Sequence, residues 1–296
     1  MARLQKRRVH LSGHDFLSSL HFSCISLLSL FLLFFTVPVL AEDWSDTSIS
    51  LRTGSKFAEP YNPKSVAKNI WALSHAGGTQ YGSQFFNVDF LQSDKSDPAS
   101  GGGGAQEAYV VYRNTFDLGK ISGTPMTFGP IKGVGVTLGF DWNTKNDISY
   151  QSKKRMLVIG PTLMLDVPGW MSIDLLLLSE SNFPAGIANR YSYKTHLALG
   201  AEWGIPLGNL GAVPFSFEGF GLIIASKGRN EFGGNTAPET NFDMNVMADT
   251  SDFFGARKKT FRVGVAYQYW KNKFGTPASV PGSIAKTWMI RLDHHF

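Results

Sequence analysis

The stretch Thr287-Trp288-Met289-Ile290-Arg291-Leu292-Asp293-His294-His295-Phe296 decides the fold. Side chains of an extended chain alternate between two faces. Trp288, Ile290, Leu292, His294 and Phe296 therefore share one face, and Thr287, Met289, Arg291, Asp293 and His295 share the other. The first face is apolar with aromatic ends; the second is polar and charged. About ten residues let a tilted strand cross a bilayer with one face in lipid and the other in water.

The same alternation recurs upstream. Val134, Val136, Leu138, Phe140 and Trp142 alternate with Gly133, Gly135, Thr137, Gly139 and Asp141. Phe86, Val88 and Phe90 alternate with Asn87 and Asp89, and Phe261, Val263, Val265 and Tyr267 with Arg262, Gly264, Gln268 and Trp270. Twelve strands are expected: 44–53, 69–75, 84–92, 105–115, 131–143, 154–167, 169–180, 191–204, 213–226, 241–249, 260–271 and 287–296. The segment 69–75 is weakly patterned. Apolar runs in 154–167 and 169–180 imply an apolar patch on the inner face. An even strand count returns both ends of the wall to one side. The polar, Gly/Pro-rich segments 93–104, 143–153, 227–240 and 272–286 all fall on odd-to-even connections, as the longer outer loops should. Among the even-to-odd connections, Pro168-Gly169 and 206–211 read as short turns, and 116–130 alone departs from that rule.

The N-terminus sets the compartment. Arg3, Lys6, Arg7 and Arg8 precede the apolar run Phe22 to Leu40, and Val39-Leu40-Ala41 supplies small residues for cleavage before Glu42. Residues 1–41 are expected to be a cleaved signal peptide and 42–296 the barrel. Cys24, the single cysteine, lies in the leader, so the mature chain carries no disulfide framework. The net charge of +5 misleads, because the leader holds four of the 28 basic residues and one of the 23 acidic ones. The remainder is close to balanced, which is no footprint for nucleic acid.

Two resemblances add to this. The terminal strand resembles that of bacterial outer-membrane proteins, which typically end in an aromatic residue. That resemblance implies an outer-membrane location and engagement of the barrel-assembly machinery through Phe296. The stretch Thr127-Phe128-Gly129-Pro130-Ile131-Lys132, after Phe116-Asp117-Leu118-Gly119-Lys120-Ile121, is similar to a turn of the nucleoside-specific channel-forming (Tsx-like) family. That likeness implies a monomeric twelve-stranded barrel passing nucleosides passively, with aromatic rings on the base and polar groups on the sugar. The family's own lumen residues do not carry over one by one.

Lumen candidates therefore come from alternation alone: the rings Phe85, Tyr109, Phe220 and Trp270, and the polar residues Asn87, Asp89, Glu107, Arg113, Glu218, Arg262 and Arg291. Asp141, Asp174, His196, Glu202 and Asp293 are assigned to the same face. Mixed signs argue against strong ion selectivity, and mutual pairing accounts for most of these groups. A rival class is an outer-membrane enzyme acting on lipids, of phospholipase or acylase type; a general porin is another. No Ser–His pair with lipid-facing exposure is evident, so no enzyme activity is expected. His294 and His295 point to opposite faces, and neither metal nor cofactor is expected. Asp94 and Asp97 read as a solvated loop. Gly101 to Gly104 lacks the Lys-Ser/Thr of a phosphate loop.

Overall fold

The computed structural model describes residues 43–296. The expected signal peptide, 1–41, lies outside the described residues. Twelve long strands form the wall: β1 (Trp44–Glu59), β2 (Asn62–Thr79), β3 (Gly82–Ser93), β4 (Gln106–Asp117), β5 (Ile131–Lys145), β6 (Arg155–Leu165), β7 (Trp170–Asn182), β8 (His196–Leu210), β9 (Val213–Ile224), β10 (Glu239–Asp249), β11 (Phe261–Lys271) and β12 (Ile284–His295). A two-residue piece, Tyr191–Ser192, pairs with the end of β7 ahead of β8. Each strand pairs antiparallel with its chain neighbours, and β1 pairs with β12 from Ser48↔His295 to Thr53↔Ile290. The sheet is thereby closed, which removes the free edges an open sheet would expose.

The alternation decides which face is out. On β12, Trp288, Ile290 and Leu292 are exposed, with Trp288 at 67%, while Thr287, Met289 and Asp293 are buried. The outward band continues through Ile49, Leu51, Trp71, Leu73, Phe90, Leu138, Phe140, Leu157, Ile159, Leu175, Leu177, Leu197 and Leu199. Side chains of this kind are stable outside only where lipid covers them. A closed even-stranded barrel with such a band is the architecture of bacterial outer-membrane proteins, and this chain is an outer-membrane barrel.

The expected first two strands are too short. β1 runs on to Glu59 and β2 starts at Asn62, so they meet in a tight turn at Pro60-Tyr61. Register shifts between Gly54 and Phe57, and between Phe57 and Glu59, disguise the alternation there. Pro206 lies inside β8 and the turn itself is only Gly211-Ala212. The long link 116–130 holds a short helix, α1 (Leu118–Ser122), capped by Asp117 accepting from the Lys120 N–H. A second long link at the same end, 250–260, breaks the short-turn rule as well and holds a 3-10 turn at Ser251–Phe254. The Thr127–Lys132 stretch is a small hairpin whose Phe128 and Ile131 exchange backbone hydrogen bonds around Gly129-Pro130.

Candidate lumen site

Every candidate projects inward. On β3, Asn87 accepts from the Ser74 hydroxyl at 2.6 Å and donates to Asp89 at 2.9 Å. Phe85 lies opposite Ala76 of β2 and Arg113 of β4. On β4, the Tyr109 hydroxyl donates to Asp141 at 2.7 Å, and Arg113 pairs with the same carboxylate at 2.7 Å. Glu107 accepts from the Asn143 amide. Glu218 of β9 pairs with Arg262 of β11, and Arg291 of β12 donates to Asp293 at 2.8 Å. Inward hydroxyls form a ladder across four strands, from Thr115 to Thr137 (2.8 Å) to Thr162 (2.5 Å) to Asp174 (2.5 Å).

The interior is spanned as well as lined. Arg52 of β1 donates to Asp89 of β3 at 2.6 Å and to Asp243 of β10 at 3.3 Å. Its partners stand on strands five positions apart around a wall of twelve, so this one guanidinium ties opposite walls together. Such planar, forked donors suit two carboxylates better than an ammonium would.

Toward the loop end the interior is packed. Glu59 accepts from Lys68 at 2.6 Å and pairs with Lys145 and Lys273, each at 3.1 Å. Lys145 also pairs with Asp97 at 2.9 Å. The expectation of a solvated Asp97 is therefore wrong: its loop folds back over the mouth and buries it. A second knot centres on Glu180, which accepts from Lys227 at 2.7 Å, with Lys154 at 3.6 Å and His196 at 4.0 Å. Each knot adjoins an apolar cluster on the same strands. Phe57, Val66, Ile70, Ala266 and Met289 form one; Met156, Val158, Leu176, Leu178 and Ala198 form the other. The second is the apolar patch that the runs in β6 and β7 imply.

Toward the terminus end the inward residues are wetter. Phe85 and Phe220 are 39% and 36% exposed, and Arg113, Glu202, Glu218, Arg262 and Arg291 are half-buried. The interior is thus a vestibule at one end and a packed plug at the other. Of the four candidate rings, Phe85 and Phe220 stand open. Tyr109 is tied to Asp141. Trp270 donates to Glu239 at 2.6 Å, and Lys273 and Phe274 pack on its ring.

Sequence reasoning missed the groups that arrive from loops. Lys227 and Glu231 sit in the β9–β10 loop, and Glu231 accepts from the hydroxyls of Tyr150 and, at 2.6 Å, Tyr193. Alternation along the expected strand 191–204 places Tyr193 on the face opposite the inward His196, but the chain leaves strand geometry between Ser192 and His196 and the ring turns inward under Lys227. Asp147 organises the β5–β6 loop by accepting from the backbone N–H groups of Tyr150 (2.6 Å), Ser149 (3.0 Å) and Gln151 (3.1 Å). Burial opposes its charge, but those N–H groups and nearby Lys145 prevail and hold its carboxyl below the ordinary range. No group of metal-ligating side chains occurs among the described residues. His196, the one candidate base weighed for lipid chemistry, is buried inward with its Nδ1 on the Lys194 carbonyl at 2.9 Å.

No family model and no curated protein matches the chain in sequence. Solved structures similar to it include the translocator domain of the autotransporter NalP from Neisseria meningitidis, 11% identical, with a TM-score of 0.44 over 94% of this chain and 97% of that one. The KdgM porin is 10% identical, with a TM-score of 0.41 over 84% and 99%. The transport unit of the autotransporter AIDA-I from Escherichia coli is 9% identical, with a TM-score of 0.37 over 88% and 92%.

Proposed function

We propose that the barrel is a narrow, passive, non-enzymatic channel, acting as a monomer, for small neutral solutes that combine a flat face with hydrogen-bonding groups, nucleosides among them. The observation that carries this reading is the Arg52 bridge to Asp89 and Asp243. It fills the middle of the interior with paired donors and acceptors, so a solute must exchange hydrogen bonds with it to pass. An ion gains little from such a charge-balanced lattice, whereas a sugar hydroxyl finds both partners. Phe220, opposite Asp243, and Phe85 in the vestibule offer open rings beside that polar set. Stacking of a base on one ring is worth about 1–3 kcal/mol, enough for a weak site that loads and releases. The similarity of Thr127–Lys132 to the nucleoside-channel turn agrees with this class. The packed loop end argues against a general porin, and delivery of Phe296 to the assembly machinery is part of the same reading.

The test is liposome swelling and single-channel block with adenosine, thymidine and size-matched sugars. Nucleosides should pass faster than sugars of equal size, and Phe220→Ala or Phe85→Ala should narrow that gap. Equal passage of all solutes would defeat the selective reading.

A further inference from the structure

The outside of the wall carries a feature the lumen does not explain. At the loop end, four lysines gather on contiguous strands: Lys64 on β2, Lys56 on β1, Lys286 on β12 and Lys271 on β11. All four are exposed. No ion pair among the described residues engages any of their ammonium groups. Lys56, Lys64 and Lys286 line a groove of about 440 Å³ together with Asn62, Ser65 and Ile284. Lys271 pairs in register with that same Ile284. The irregular pairing of β1 and β2 builds the groove: Ala58 alone separates Phe57 from Glu59, while three residues, including Lys64, separate their partners Val66 and Asn62.

A second groove, also of about 440 Å³, continues down the wall and is lined by Gly54, Ala67, Val265, Trp288 and Ile290. Trp288 follows Lys286 by two residues, about 7 Å along a strand. Gly54 lets β1 and β12 approach closely beneath the slot: a Cβ there would lie 2.7 Å from the Trp288 carbonyl oxygen and 3.0 Å from the buried Met289 Cγ. A cationic cup thus stands directly above an apolar slot, on the face that meets the membrane. Free anions need only the cup, and a hydrocarbon needs only the slot. An amphiphile with an anionic head fits both.

We propose that this rim binds a phosphorylated glycolipid of the outer leaflet, its phosphates on Lys56, Lys64, Lys271 and Lys286 and one acyl chain in the slot beside Trp288. Four cations in a row suit a head bearing several phosphates better than a single phosphodiester. Both ends of the wall lie at the opposite side, which puts this rim at the outer leaflet.

The test is native mass spectrometry of the folded, detergent-purified barrel titrated with bis-phosphorylated lipid A, with its dephosphorylated form and with inorganic phosphate. The triple variant Lys56→Gln, Lys64→Gln, Lys286→Gln should bind the phosphorylated lipid at least about tenfold more weakly. It should bind the dephosphorylated lipid as wild type does, and Lys→Arg at the same three positions should restore affinity. Unchanged binding of phosphorylated lipid A by the Gln variant would overturn the proposal. So would displacement of the lipid by equimolar inorganic phosphate, which would mark a free-anion site. Heat-modifiable gel migration of each variant checks that the barrel is folded.

Discussion

Arg52 Nη2 lies 2.6 Å from Asp89 Oδ2, and both side chains are largely withdrawn from solvent in the barrel interior, at 12% and 19% exposed. Removing the guanidinium leaves the buried Asp243 and the partly exposed Asp89 without their cation; loss of a fully buried partner costs about 3–5 kcal/mol, and the exposure of Asp89 puts this case toward the low end. Arg52→Ala should therefore unfold at lower denaturant concentration while opening the middle of the interior. Single-channel recording should show a larger unit conductance than wild type. Arg52→Met, which refills the volume, should lose stability without that gain. Equal conductance in all three proteins would remove the bridge as the barrier.

The β9–β10 loop is held in the mouth by Lys227 on Glu180 and by Glu231 under Tyr150 and Tyr193. Cutting both anchors with Lys227→Ala and Glu231→Ala should release residues 225–238 while the wall stays intact. Limited proteolysis should then cleave that loop several-fold faster, and amide exchange there should rise with little change in β9 or β10. Each single variant should have a smaller effect.

The Asp147 carboxyl titrates below its ordinary value of 3.8. A depressed carboxylate stabilises the folded loop fully above its unfolded pKa, and that contribution is lost as pH falls through the lower folded value. Protection of the Ser149–Gln151 amides, corrected for intrinsic exchange, should thus be flat above about pH 5 and fall below pH 4. Asp147→Asn should abolish the acid step and lower protection by about 1 kcal/mol at neutral pH. A step that persists in the variant would assign it to another group.

Gly282 combines a φ of +77° with the absence of space: a Cβ there would stand 1.9 Å from the Glu59 carbonyl oxygen. Strain and clash add at one position, and the Tyr61 N–H to Pro281 carbonyl bond beside it ties the β1–β2 turn to the last loop. Gly282→Ala should lower the folded fraction measured by heat-modifiable migration after refolding into detergent. Gly102→Ala has open space around it and should cost far less.

Much of this was legible because a strand has a period of two and lipid punishes any slip. Phe85, Asn87, Glu218, Arg262 and Arg291 needed only the alternation of their own strands to be placed inward. The β1–β2 turn was hidden because Lys56, Lys64 and Lys68 break the alternation at the bulges. Tyr193 was misplaced because the chain leaves strand geometry just before β8. Arg52, Lys227 and Glu231 act through partners across the interior, up to 191 residues away for Arg52 and Asp243. Periodicity within one strand contains no trace of such a partner, so the plug could not be read although its walls could.

The seam between β1 and β12 has a consequence for how the molecule is made. Ser48 meets His295 across it, so the first strand of the wall waits for the last before it gains its second neighbour. Until then β1 and β12 each present an unpaired edge, and the three lysines around Glu59 come from β2, β5 and the loop before β12. The closing edge, and the Lys273 contribution to the charge knot, become available only when the last loop and strand are made. Closure therefore needs the whole chain, and pairings between strands so far apart in sequence are the kind that form slowly. A chaperone that shields β1 until β12 arrives would act on the rate of that event and leave the final stability unchanged.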